Sequence, residues 1–316
     1  MAPLTHSPNA FRWAAAVLVA ATGVGLPACQ LPRFRPVTKL VSKAMGESRW
    51  FRVEAPVSPL PDPGASGDGE GAGEAEALPP NEAYDKRLNP LWIDEFTPCS
   101  ALAGFGAPPR APVYVLVHGI YGDGPEWWPV LPVLDQANPS AMFMFRWSLI
   151  GQHRELVESL SAGVLRIAAC FPNATPLVLL SHSAGGVIAS AAAHGFTVGT
   201  KGGGPKLWVL TVASPLAGVG YRGHEAPPED DSGARLVYEL GGSQEGYPAA
   251  APGVAVIHFR TTYPSDKVMK PNVFGHAPNE RGVGVAGARE VDLPVELGHV
   301  PSLLYVAKEL VAGRAP

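Results

Sequence analysis

Hydrophobic residues from about residue 110 onwards fall into short continuous runs separated by amphipathic stretches. A continuous apolar run is typical of a strand that is buried on both faces. The runs lie at 113–117, 141–147, 177–180, 207–212, 254–260 and 288–293. Apolar positions at helical spacing lie at 154–171, 187–194 and 299–312. This alternation predicts an α/β fold in which helices cover both faces of a mostly parallel sheet.

The amino terminus has the pattern of an export signal. A polar start with Arg12 precedes the uncharged apolar stretch 13–26, which is shorter than the roughly 20 residues that span a bilayer. We therefore interpret residues 1–29 as a signal peptide. The sequence Leu26-Pro27-Ala28-Cys29 resembles the bacterial lipobox, and this resemblance implies a lipid-bearing Cys29 and a cell-envelope lipoprotein. Cleavage near Ala28, giving a secreted or periplasmic protein, and an uncleaved anchor remain open.

Residues 30–84 have the composition of a tether. The part at 54–80 is rich in proline, glycine and acidic residues and has no lysine or arginine. Such a segment buries too little apolar surface to offset its ordering entropy, which predicts disorder. The preceding part, 31–53, mixes basic and apolar residues and is interpreted as a solvated basic arm or a membrane-surface segment. The folded domain is accordingly predicted at 85–316.

Composition excludes several classes of protein. Lysine and arginine number 24 against 28 acidic residues, and the net charge of −4 argues against nucleic-acid binding. A hydrophobic content of 46% is enough for a large core, which excludes global disorder. No group of histidine, cysteine and acidic residues has the spacing of metal ligands, so we expect no metal and no cofactor. Cys99 and Cys170 could pair in an oxidising compartment, but spacing alone gives no distance between them.

The segment 177–190, LVLLSHSAGGVIAS, carries the most specific chemical signal. A predicted strand enters a tight turn with Ser183 at its apex, and a predicted helix follows. The backbone folds back on itself at such a turn, so the positions two before and two after the apex must be small. Ser181 and Gly185 occupy them. The turn exposes the Ser183 hydroxyl and directs the backbone N–H of Ala184 into the same space, where the helix N-terminus favours a developing oxyanion.

This segment resembles the nucleophile elbow of the α/β-hydrolase superfamily, in particular its lipase and esterase branch. The resemblance covers most of residues 110–316, with Ser181 in place of the first glycine of G-x-S-x-G. It implies an α/β-hydrolase fold with a possible small lid around 215–250. The stretch 117–124, VHGIYGDG, also follows a strand. By the same resemblance, the backbone N–H groups of Ile120 and Ala184 form the oxyanion hole.

The remaining catalytic partners are expected in the chain order serine, acid, histidine. Asp266 follows the strand 254–260 in a turn, which is where the family keeps its acid. His299 lies after the last predicted strand and at the start of the last helix, which is the family's place for the base. Four other residues are less favoured because of their positions in the chain. They are the acids Asp230, Asp231 and Asp292 and the histidine His276.

The resemblance implies a serine hydrolase that cleaves carboxylic esters through Ser183, His299 and Asp266. An acyltransferase, a thioesterase or an amidase could use the same triad, and a binding protein without turnover could share the fold. The expected partners are an ester or lipid substrate and a membrane reached through the lipid anchor. Most aromatic residues near the site are expected to fill the core, whereas Trp127 and Trp128 could line the substrate pocket.

Overall fold

A computed structural model describes parts of the chain between residues 49 and 314. The described residues are 49–54, 87–91, 93–94, 96–102, 111–120, 125–147, 153–174, 176–196, 207–216, 235–236, 239–240, 247–262, 282 and 284–314. The chain divides into two units, Met1–Ala44 and Met45–Pro316, and all described residues belong to the second. The predicted signal peptide with Cys29, and most of the predicted lid, lie outside the described residues.

The described strands form one eight-stranded sheet. They are β1 Arg49–Val53, β2 Leu88–Leu91, β3 Val113–Val117, β4 Ala141–Arg146, β5 Leu177–His182, β6 Leu207–Val212, β7 Val254–Arg260 and β8 Arg289–Asp292. Their order across the sheet is β2-β1-β4-β3-β5-β6-β7-β8. Strands β3 to β8 are parallel, whereas β1 is antiparallel to both of its neighbours. The mostly parallel sheet and all six strands expected from the hydrophobic runs are confirmed.

Helices cover both faces of this sheet. They are α1 Cys99–Leu102, α2 Leu131–Asp135, α3 His153–Cys170, α4 Ala184–Ala192 and α5 Pro301–Val311. Alternate side chains of β3 enter two separate cores, with Val115 in one and Leu116 in the other. Helices α3 and α4 contribute to the first core, and α2 and α5 contribute to the second. Burial on both faces explains why the central strands are continuously apolar.

Strand β1 corrects the predicted tether. The sequence predicts a solvated basic arm or a membrane-surface segment for residues 49–53, but they pair with β4 from Arg49 opposite Arg146 to Arg52 opposite Phe143. Trp50 is buried and lies 5.0 Å from the Phe145 ring, between ring centroids. The prediction of a tether running unbroken to residue 84 is therefore wrong, because the apolar side chains of this basic segment complete the core. The rest of the predicted tether lies outside the described residues.

A disulfide joins α1 to the end of α3. Cys99 and Cys170 are bonded, with their Cα atoms 5.0 Å apart. Beside this bond, Nε of Arg166 donates a hydrogen bond of 2.6 Å to the carbonyl oxygen of Thr97. The pairing that spacing left open is thus present, and it fixes the segment that precedes β3 to α3.

The described helices are short or carry many polar residues. None of them is both long and apolar enough to cross a membrane.

Candidate active site

Ser183 occupies a strained turn between β5 and α4. Its backbone angles are φ 53° and ψ −127°, a conformation that non-glycine residues rarely adopt and that is common at functional sites. The Ser183 N–H donates to the carbonyl oxygen of Val212 at 2.9 Å, and the N–H of Gly186 donates to the carbonyl oxygen of Ser183 at 2.9 Å. These bonds hold the serine at the carboxyl end of the parallel strands, as the motif predicted.

The neighbours of Ser183 are small because the backbone segments touch. A Cβ atom at Gly185 would collide with the carbonyl oxygens of His118 and Val117 at the end of β3. Ser181 is fully buried, and its hydroxyl donates to the carbonyl oxygen of Leu210 at 2.9 Å. This hydrogen bond satisfies the buried hydroxyl, so the structure accommodates serine where the family pattern has glycine.

The loop after β3 lies directly against the serine. A Cβ atom at Gly119 would be 2.8 Å from Cβ and 3.4 Å from Oγ of Ser183. Ile120 follows Gly119, and Ala184 is the first residue of α4, where backbone N–H groups have no partner within the helix. The structure therefore brings the segments of both predicted oxyanion donors to the same edge of the sheet as Ser183.

His118 fixes the shape of this loop. Its Nε2 accepts the backbone N–H of Trp147 at 3.0 Å, so the proton of the neutral ring lies on Nδ1, which donates to the carbonyl oxygen of Gly119 at 2.7 Å. The indole N–H of Trp147 donates to the carbonyl oxygen of His118 at 2.9 Å, and the two rings stack. Both ring nitrogens are thus engaged in holding the loop.

His299 lies in the turn between β8 and α5, as the order of the motifs predicted. Its ring centroid is 4.7 Å from that of His182, the residue before Ser183. The hydroxyl of Thr261, just beyond β7, donates to the carbonyl oxygen of Leu297 at 3.0 Å. The histidine turn is thereby joined to the end of β7. The structure brings the predicted base and nucleophile to one edge of the sheet.

The predicted acid cannot be placed in the same way. Asp266 lies outside the described residues, as do the alternatives Asp230, Asp231 and His276. Asp292, the remaining alternative, ends β8 and binds the guanidinium of Arg260 at 2.6 Å. That carboxylate holds β7 and β8 together at the surface, an arrangement that does not favour it as the partner of His299.

Glu126 belongs to the site although no sequence motif pointed to it. It lies in a short 3-10 helix, Pro125–Trp127, and its carboxylate accepts the N–H of Gly119 at 3.1 Å. Burial alone would raise the pKa of Glu126, but its contact with the His182 side chain lowers it below the usual value. The carboxylate is therefore ionised beside the predicted oxyanion loop.

The aromatic residues near the site contribute mainly to packing. Trp127 is fully buried in the core with Leu131 and Leu134, so the expectation that it could line the substrate pocket is wrong. Trp128 is half-buried and packs against the same core. Among the described residues, no group of histidine, cysteine and acidic side chains could hold a metal ion.

Comparison with known proteins gives structural likenesses at low sequence identity. Neither the protein-family models nor the curated proteins include a match to the chain. A hormone-sensitive lipase from a metagenome library is 15% identical with a TM-score of 0.43, covering 67% of this chain and 78% of its own. The lipase BlEst2 of Bacillus licheniformis is 15% identical with a TM-score of 0.41, covering 65% of this chain and 93% of its own. The bottromycin epimerase BotH is 17% identical with a TM-score of 0.39, covering 66% of this chain and 92% of its own.

At these sequence identities and TM-scores, the likenesses give no functional assignment. Proteins that share one fold can also catalyse different reactions. The architecture rests instead on the topology of this chain. A serine follows β5 on a strained turn into a helix, a His-Gly loop follows β3, and a histidine follows β8. The chain therefore has the α/β-hydrolase fold, with Ser183 at the strained turn between β5 and α4.

Proposed function

We propose that this protein is a serine hydrolase that cleaves carboxylic esters through Ser183, His299 and Asp266. The observation that carries the proposal is the strained backbone of Ser183 in contact with Gly119. A protein that used this turn only to connect a strand and a helix would have no need for the strain. The contact leaves the serine between the segments of Ile120 and Ala184.

In the first half of the proposed reaction, Oγ of Ser183 attacks the carbonyl carbon of the ester. His299 accepts the hydroxyl proton, and the N–H groups of Ile120 and Ala184 stabilise the negative charge on the carbonyl oxygen. When the tetrahedral intermediate collapses, His299 gives the proton to the departing alkoxide, and an alcohol leaves. Asp266 orients His299 and stabilises its protonated form without accepting the proton.

In the second half, water attacks the acyl-enzyme. His299 accepts a proton from the water, and the bond between Oγ of Ser183 and the acyl carbon breaks as the serine recovers its proton. A carboxylic acid is released. An alcohol in place of water would give acyl transfer, and a thioester or amide substrate would change only the first leaving group.

The proposed location is the cell envelope, by export and lipid modification of Cys29. The disulfide between Cys99 and Cys170 supports export, because such bonds persist in oxidising compartments and are rare in the cytosol. A lipid anchor would hold the enzyme at a membrane, where ester lipids are available as substrates.

Turnover of a p-nitrophenyl ester series, from acetate to palmitate, tests the proposed function. The full chain is needed because β1 belongs to the sheet. We expect the wild-type protein to hydrolyse part of the series and Ser183→Ala to lose about a thousandfold in kcat. Ser161→Ala, on α3, is the matched control and should keep wild-type activity. Equal inactivity of both proteins across the series would overturn ester hydrolysis and favour amide cleavage, acyl transfer or binding.

A further inference from the structure

His182, the residue that precedes Ser183, contacts two other parts of the site. It ends β5 and is only 3% exposed. Its Nε2 lies 3.1 Å from the carbonyl oxygen of His299, and its Nδ1 lies 3.9 Å from Oε1 of Glu126. Glu126 in turn accepts the N–H of Gly119. The chain of contacts therefore runs from the turn of the proposed base to the loop of the proposed oxyanion hole.

The contact with His299 requires a proton on Nε2 of His182. A carbonyl oxygen can only accept a hydrogen bond, so Nε2 of His182 must be the donor. Nδ1 then faces the carboxylate of Glu126, and this buried atom has no hydrogen bond to any residue that the structure describes. The carboxylate is itself enclosed, with its side chain 10% exposed.

We propose that His182 and Glu126 are positioning residues that hold the base and the oxyanion loop in register with Ser183. His182 fixes the backbone of His299 through Nε2–H, and Glu126 fixes Gly119 through its N–H. This inference rests on the proposed function, because it assigns these contacts to the catalytic roles of His299 and Ile120.

The proposed reaction depends on this register. A base must lie within hydrogen-bond reach of the proton that it accepts, and a displacement of about 1 Å can cost about a hundredfold in rate. The ring of His299 follows its own backbone, and Ile120 follows Gly119. Losing either contact should lower kcat and leave KM nearly unchanged, because substrate binding uses neither side chain directly.

A purely structural role for His182 would need only its ring. The ring packs against that of His299 at a centroid distance of 4.7 Å, and phenylalanine would preserve this packing without the donor. Glutamine has the opposite properties, since its side-chain amide can reach the position of Nε2 and donate, but it has no ring. The two substitutions therefore separate hydrogen bonding from packing.

The experiment compares His182→Phe, His182→Gln and Glu126→Gln with the full-length wild-type protein. Hydrolysis of p-nitrophenyl butyrate gives kcat and KM, and hydrogen exchange followed by mass spectrometry reports the backbone at 296–303 and 116–120. The exposed residues His194 and Glu155 provide the control variants His194→Phe and Glu155→Gln. Circular dichroism verifies that each variant is folded.

We expect His182→Phe to lower kcat about 10- to 100-fold with KM within about twofold, and His182→Gln to recover most of that loss. Exchange at 296–303 should accelerate in the phenylalanine variant and remain near wild type in the glutamine variant. Glu126→Gln keeps an acceptor for Gly119 and should fall between the two. The controls should match wild type.

Equal kcat in His182→Phe and wild type, or equal loss in both His182 variants, would overturn the inference. If the wild-type protein has no turnover, the proposed function fails. Hydrogen exchange at 296–303 in the His182 variants then still tests the contact between His182 and His299. If His182→Phe does not fold, a folded His182→Gln variant with kcat lowered about 10-fold or more and faster exchange at 296–303 would overturn the proposal.

Discussion

Gly119 and Ser183 lie so close that no side chain fits between them. A Cβ atom at Gly119 would be 2.8 Å from Cβ of Ser183, a separation at which one of the two segments must move. Because Ser183 is held by backbone hydrogen bonds to β6 and α4, the loop that carries Ile120 is the part able to shift.

We therefore expect Gly119→Ala to displace the proposed oxyanion donor Ile120 and to lower the kcat of ester hydrolysis by about 10²-fold. This loss is at the lower end of what removing an oxyanion donor costs. The measurement is kcat and KM with a p-nitrophenyl ester, together with circular dichroism. Gly195→Ala is a matched control, because the nearest atom to its Cβ would be Oγ of Ser161 at 4.0 Å. Equal activity of Gly119→Ala and wild type would contradict the assignment of this loop to the oxyanion hole.

The buried ring of His258 should make the free energy of unfolding depend on pH. The ring is buried between β6 and the segment before β8. Its Nε2 accepts the N–H of Val285, and its Nδ1 is hydrogen-bonded to the hydroxyl of Thr211. Burial lowers the pKa of His258 to about 4. In the unfolded chain the ring titrates at about 6.5, so the unfolded state binds more protons as the pH falls from 6.5 towards 4. Stability is fully present above pH 6.5 and is lost across this window, by about 3 kcal/mol at most.

Urea unfolding at pH 7.5, 6, 5 and 4 measures this effect. His258→Gln should show a smaller loss of unfolding free energy across the series than wild type, whereas the exposed His194→Gln should keep the wild-type slope. If the slopes of wild type and His258→Gln coincide, His258 is not buried in its neutral form.

The disulfide should contribute substantially to stability. Cys99 and Cys170 are 71 residues apart in sequence, and closing a loop of this length restricts the unfolded chain by an amount equivalent to about 4 kcal/mol. We expect a variant with Cys99→Ser and Cys170→Ser to unfold at a lower urea concentration, with the free energy of unfolding reduced by about 2–4 kcal/mol. Wild type in reductant should behave like this variant. Titration of free thiols at both positions in the oxidised protein would show that the bond does not form.

The fold and the site differ in how much of each can be predicted from local sequence. Strands such as β3 and β5 are buried on both faces, so each is a continuous apolar run that can be predicted as a strand from the sequence. Strand β1 is different, because its basic residues suggest a solvated arm and only pairing with β4 makes it a strand. In the same way, the sequence around Ser183 predicts the elbow, since a sharp turn needs small neighbours.

Glu126 could not be found by such reasoning. Its carboxylate matters because folding brings it to Gly119 and His182, which lie on other elements, and no short spacing connects the three residues. The one local signal was an acidic residue next to the apolar Trp127, and it gave no information about the contacts of Glu126 with Gly119 and His182.

The central claim is that Ser183 is an activated nucleophile, and labelling with a fluorophosphonate measures this most directly. The reagent bonds covalently to a serine that a neighbouring base activates, and it requires no knowledge of the substrate. We predict one label per chain, located at Ser183 by peptide mass spectrometry, with none in Ser183→Ala and slow labelling in His299→Ala. Absence of label in the folded wild-type protein, or a label at another serine, would contradict the claim.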